Sequence, residues 1–195
     1  MKRNTIQQMW LGVFLFLAIS TLSVAAQSNQ EITESNWQTH PKIVAIRKMV
    51  QATEQGLKSH KLKSTKKEFQ ACDDDNQTIR RIVRDATGRV LMYEGYHEGR
   101  EDSSSLYSQY YDDAGKLRFA VVTVYAANGT REQHRAYYDE VGKIIWRNRK
   151  LLKGPGYFQP PDIEELPKED PAKAFADDTG CTSTKTKPAG SRNHN

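Results

Sequence analysis

A chain of 195 residues carrying a net charge of +5 fits a single domain with flexible ends. The mildly basic balance suits solubility and a weak attraction to anionic polymers. It does not point to nucleic-acid recognition, which needs basic residues clustered on one face.

Residues 1–26 follow the order of a secretory signal peptide. Lys2 and Arg3 come first, then the apolar or small run from Met9 to Ile19, then small residues at Val24, Ala25 and Ala26. That run is about half of the roughly 20 apolar residues a spanning helix needs, so no stable membrane span is expected after cleavage. The mature protein is therefore expected to be secreted or periplasmic. Residues 27–40 are polar and aperiodic and read as a linker. Pro41 then opens a helical pattern, because proline wastes no amide proton in a first turn. Ile43, Ile46, Val50, Thr53 and Leu57 recur three and four residues apart, which puts one apolar stripe on a helix over about 41–58. Lys58, His60, Lys61 and Lys63 gather at its C-terminal end, where positive charge suits the dipole. Of the two cysteines, Cys72 precedes the next ordered pattern and Cys181 lies near the end of the chain. In an oxidising compartment the pair is expected as a disulfide, closing a loop of about 110 residues and worth roughly 4–5 kcal/mol.

The middle of the chain repeats. Asp85-Ala86-Thr87-Gly88-Arg89-Val90, Asp112-Asp113-Ala114-Gly115-Lys116-Leu117 and Asp139-Glu140-Val141-Gly142-Lys143-Ile144 share one form, with glycines at intervals of 27 residues. Aspartate at the first position of a type I turn bonds the amides that follow, and glycine three residues on accepts a positive φ. Each such segment predicts a three-residue hairpin loop with a bulge. Asn128-Gly129 predicts a two-residue type I′ hairpin, and residues 99–105 a longer polar loop. Between the turns, Thr78 to Arg84, Val90 to His97, Leu106 to Tyr111, Leu117 to Ala126, Glu132 to Tyr138 and Ile144 to Asn148 are rich in β-branched and aromatic residues. Six such strands joined by short turns form an antiparallel meander. The expected fold is α+β: the helix at 41–58 packed on a roughly six-stranded sheet, one domain over 41–154. From residue 155 onward, prolines and charged residues predict a disordered tail.

Tyr110-Tyr111-Asp112-x-x-Gly115-Lys116 followed by an aliphatic strand resembles the hairpin repeats of YD-repeat (RHS-like) and MORN-like bacterial proteins. The resemblance covers about 70 residues, and Val83-Arg84 stand where the first unit would carry its tyrosines. It implies a scaffold for protein or carbohydrate contacts and carries over no catalytic residue.

No motif in the chain specifies a chemistry. Asp73-Asp74-Asp75-Asn76 lacks the alternate spacing, glycine and distant glutamate of a calcium loop, so it reads as an acidic turn. Glu94, His97 and His134 are the best candidates for acid–base or zinc chemistry, as in a hydrolase acting on an envelope polymer. Adjacent strand residues point to opposite faces, so closeness in sequence does not gather such side chains into a site. Ser103, Ser104 and Ser105 have no histidine–acid pair tied to them. No metal or cofactor is expected. The remaining set is aromatic: a contact surface on the sheet face away from the helix, with Tyr107, Tyr111, Tyr137 and Arg135 as its candidates. The leading expectation is an exported, non-enzymatic module binding a protein or glycan of the cell envelope. A carrier holding a small hydrophobic ligand between helix and sheet is the third reading.

Overall fold

The computed structural model describes residues 30–70, 77–98, 103–156 and 170–176. The leader, the acidic run at 73–76 and both cysteines with their expected disulfide lie outside the described residues. The described chain is mostly β. A helix α1 (Pro41–Lys58) leads into strands β1 (Lys63–Gln70), β2 (Gln77–Arg84), β3 (Val90–Glu98), β4 (Ser104–Tyr111), β5 (Leu117–Tyr125), β6 (Arg131–Tyr138) and β7 (Ile144–Lys153). A short helix α2 (Pro171–Ala176) follows. The strands form one sheet in sequence order, each antiparallel to the next. No helix among the described residues is long and apolar enough to cross a membrane.

The three Asp-x-x-Gly segments close one end of this sheet by one mechanism. Oδ1 of Asp85 accepts from the amides of Thr87 and Arg89, that of Asp112 from Ala114 and Lys116, and that of Asp139 from Val141 and Lys143, all at 2.8–3.1 Å. Gly88, Gly115 and Gly142 take φ of +89°, +73° and +85°, which a side chain would oppose. Immediately after each turn the pairing register slips by one, leaving Leu91, Arg118 and Ile145 as extra residues on β3, β5 and β7. These bulged residues keep the 27-residue spacing.

Four expectations need correction. The sheet has seven strands rather than six, because β1 is an edge strand. Its sequence KSTKKEFQ has little apolar content, and Lys63 to Glu68 are all exposed, so it carries no alternating pattern to read. The Asn128-Gly129 turn is not type I′, which needs positive φ at both residues, and Asn128 does not have it. Instead Ala126 N donates to Thr130 O and Gly129 N to Ala126 O, the same loop as the aspartate turns, with Asn128 Oδ1 accepting from Thr130 N. Residues 30–40 are no linker: Trp37 stacks on Trp146 with centroids 5.8 Å apart, the Arg47 guanidinium lies 4.7 Å from the centroid of the Trp37 ring, and His40 is buried as the cap of α1. Within the stretch read as a disordered tail, α2 buries Ala174 and Phe175 against the sheet. Two apolar residues in a short segment suffice once the sheet already offers an apolar patch to receive them.

The register sorts the strands into cross-sheet rows. Val83, Met92, Tyr110, Phe119, Tyr137 and Trp146 are successive partners across β2 to β7 on one face. Onto this row α1 lays Ile43 and Ile46, both at most 2% exposed, and each fully buried isoleucine contributes about 1.5–3 kcal/mol. Tyr110 Oη donates to Glu54 Oε1 at 2.6 Å and ties helix to sheet. The opposite face carries Ile82, Tyr93 and Tyr111 under α2, and beside them Ala120, Val122, Val124, Ala136 and Tyr138.

Candidate functional site

The structure separates the aromatic candidates. Tyr137 lies on the α1 face, 3% exposed, its ring 4.9 Å from Phe119. Arg135 is on that face too, two residues along the strand, donating to Gln133 Oε1 at 2.6 Å. Tyr111 belongs to the opposite face, packed with Phe175, and donates to Gln109 Oε1. Tyr107 is also there, but its ring lies across Gly95, where a Cβ would sit 2.2 Å from the phenol. It closes over the bare backbone of β3 and tilts against Tyr93 at 6.0 Å, and its burial pushes its pKa up. No one surface holds all four, and the tyrosines serve mainly as packing. Strand alternation explains why: neighbours in a strand point to opposite faces, so the paired tyrosines Tyr110-Tyr111 and Tyr137-Tyr138 feed two cores at once.

The acid–base candidates are also apart. Glu94 is on the α1 face, whereas His97 and His134 are on the other. His97 on β3 and His134 on β6 are three strands distant, about 14 Å at the usual strand spacing. His134 instead meets Glu132, with Nε2 2.5 Å from Oε1, and Arg149 holds both carboxylate oxygens, Nη2 to Oε2 at 2.7 Å. Glu132 has no exposed surface, and its bonds to Arg149 and then His134 hold its carboxyl below the usual range. A carboxylate so engaged is a clamp between β6 and β7 and a poor proton carrier. Among the described residues, no three His, Cys, Asp or Glu side chains gather closely enough for a metal ion.

Two features remain that could receive a partner. The first is the more polar part of the helix-side face beyond the apolar row, where Val121 still packs on the helix-side core and Ser108 and Thr123 are buried. Beyond the apolar row come Arg81, Glu94, Ser108, Val121, Arg135 and Asn148, and then Ile79, Tyr96, Leu106, Thr123, Gln133 and Lys150. Arg81 Nη2 donates to Glu94 Oε2 at 2.9 Å, Ser108 Oγ to the same oxygen, and Gln133 Nε2 to Thr123 Oγ1. Among the described residues, Arg81 Nε and Asn148 Oδ1 are buried without a hydrogen-bond partner. Such an atom costs about 1–3 kcal/mol if nothing satisfies it. Of this surface, sequence reading named Arg135 and Glu94 but missed Arg81, Ser108 and Asn148. Only the register shows them to be row-mates.

The second feature is a cleft of about 480 Å³ on the turn side of α1. Ala45, Ile46, Met49 and Ala52 of the helix form one wall, and Leu62 and Leu91 close it. Asp112, Asp113 and Arg118 stand at its mouth. Leu91 and Arg118 are bulged residues of successive repeats, so the bulges aim them here.

No family model, no curated protein and no solved structure matches this chain.

Proposed function

We propose that this is an exported, non-enzymatic binding module that acts in the cell envelope or outside the cell, and that its contact surface is the polar part of the helix-side face. The observation that carries this reading is the row from Arg81 to Asn148, which spans six strands and includes two buried polar atoms without partners among the described residues. A protein or glycan laid across the sheet would meet cationic, acidic, hydroxyl and amide groups in one row, the chemistry of orientation-specific polar contact. The leader-like order of residues 1–26 supports export. The hairpin repeat, with its resemblance to bacterial YD-repeat and MORN-like scaffolds, supports a contact role over a chemical one.

The test is crosslinking and affinity capture from the host's own envelope fraction, with Arg135→Ala and Asn148→Ala as comparison proteins. Both residues sit at the β6–β7 side of the face, so each substitution should reduce the captured partner at least fivefold while leaving the thermal midpoint within a few degrees. Capture that is indifferent to both substitutions would place the contact elsewhere.

A further inference from the structure

The cleft beside α1 is separate from the proposed contact face, since it opens on the turn side of the helix and the face lies on the other. We propose that this cleft binds a small, uncharged and largely apolar molecule. Its volume of about 480 Å³ falls within the range of small-molecule sites, roughly 300–1,000 Å³. Three observations narrow the ligand class. The helix wall presents Ala45, Met49 and Ala52 at successive turns, and both alanines stay solvent-exposed although they line the space. Small side chains here leave room that larger ones would fill, and methionine adapts its shape to what enters. Leu62 lies against Gly56, where a Cβ would come within 2.8 Å of it, so the missing side chain on α1 seats the leucine that closes the wall.

The charged groups lining the cleft are already paired, which disfavours an ionic ligand. Asp112 accepts from the amides of Ala114 and Lys116 and from Arg118 Nη1. Arg118 also donates through Nε to the carbonyl of Tyr138 and through Nη2 to Glu140. Asp113 pairs with Arg89 at 3.2 Å. A charged ligand would have to break one of these pairs to gain a partner, whereas an apolar body gains the whole wall from Ala45 to Leu91.

The experiment is a fluorescence titration of the purified protein with N-phenyl-1-naphthylamine, an uncharged apolar dye, and with its anionic relative 1-anilinonaphthalene-8-sulfonate. The neutral dye should bind saturably and at least tenfold tighter than the anionic one. Ala52→Trp and, separately, Ala45→Phe should each weaken it at least tenfold, because either ring would occupy the cleft from an exposed helix position. Ala127→Trp, on a turn at the far end of the sheet, should leave binding unchanged. Far-UV circular dichroism and the thermal midpoint establish that each variant is folded. Equal binding of both dyes, or folded Ala52→Trp and Ala45→Phe proteins that bind as tightly as the parent, would overturn the proposal. Partner capture by the proposed contact face should survive Ala52→Trp, so failure of one site is distinguishable from failure of the other.

Discussion

His60 has φ of +56°, a conformation that side chains disfavour by about 1–2 kcal/mol. It is held there by the end of α1: His60 N donates to Leu57 O and Lys61 N to Gly56 O, the paired bonds that close a helix through a left-handed residue. Gly115, at +73°, occupies the same region without that cost, and a Cβ built on it would meet nothing within 4 Å. The two positions therefore predict opposite outcomes from one cause. His60→Gly should stabilise by about 1 kcal/mol and Gly115→Ala should destabilise by about 1–2 kcal/mol, read as shifts of the urea midpoint at constant slope. Shifts in the same direction would refute the shared explanation. Acid sensitivity belongs to this scale as well. The Thr87 hydroxyl, then Arg89, hold the Asp85 carboxyl down to about 2 from an ordinary value of 3.8. A depressed carboxyl stabilises the fold above its unfolded value, and that contribution disappears as pH falls from about 4 to 2. Asp85→Asn keeps an acceptor for the turn amides but cannot titrate. Its thermal midpoint should fall less steeply over that window than the parent's, and superimposable profiles would exclude Asp85 as a source of the acid lability.

Elements differ in how far local sequence explains them. The middle of β5 is legible, since Phe119 to Val122 are apolar on both faces, as a central strand requires, and the strand has neighbours on both sides. β1 and α2 are not. β1 is charged because an edge strand must discourage edge-on pairing, and β7 at the other edge uses Arg147, Arg149, Lys150 and Lys153 in the same way. α2 has six residues, too few to be stable alone, and exists because Phe175 finds Ile82, Tyr93 and Tyr111 while Arg80 Nη1 donates to Ala174 O at 2.7 Å. Lys67 adds its ammonium 4.8 Å from the Phe175 ring. Phe175→Ala should accordingly cost about 2–4 kcal/mol in denaturant unfolding and change the near-UV signal of the tyrosines beneath it. An unchanged midpoint would mean that α2 contributes nothing to the stability of the sheet.

At the scale of the whole molecule, the 27-residue repeat acts through its bulges as much as through its turns. Each extra residue after an Asp turn restarts the alternation, so Leu117 points away from Phe119 although it stands two positions before it. Unbroken period-two alternation would have put Leu117 and Phe119 on one face. The same slip delivers Leu91 and Arg118 to the cleft. A periodic sequence has thereby built a sheet whose two sides differ, one covered in part by α1 and the other in part by α2.

What the sequence determined by itself is local: where the chain turns, because an aspartate and a glycine three residues apart satisfy and permit one loop, and which stretches between turns have strand composition. What only the tertiary structure decided is which side chains share a surface. That depends on register and on the cover each face receives, and both are set by partners distant in the chain. Arg81 and Asn148 lie 67 positions apart in sequence and become members of one row only when six strands are paired in order.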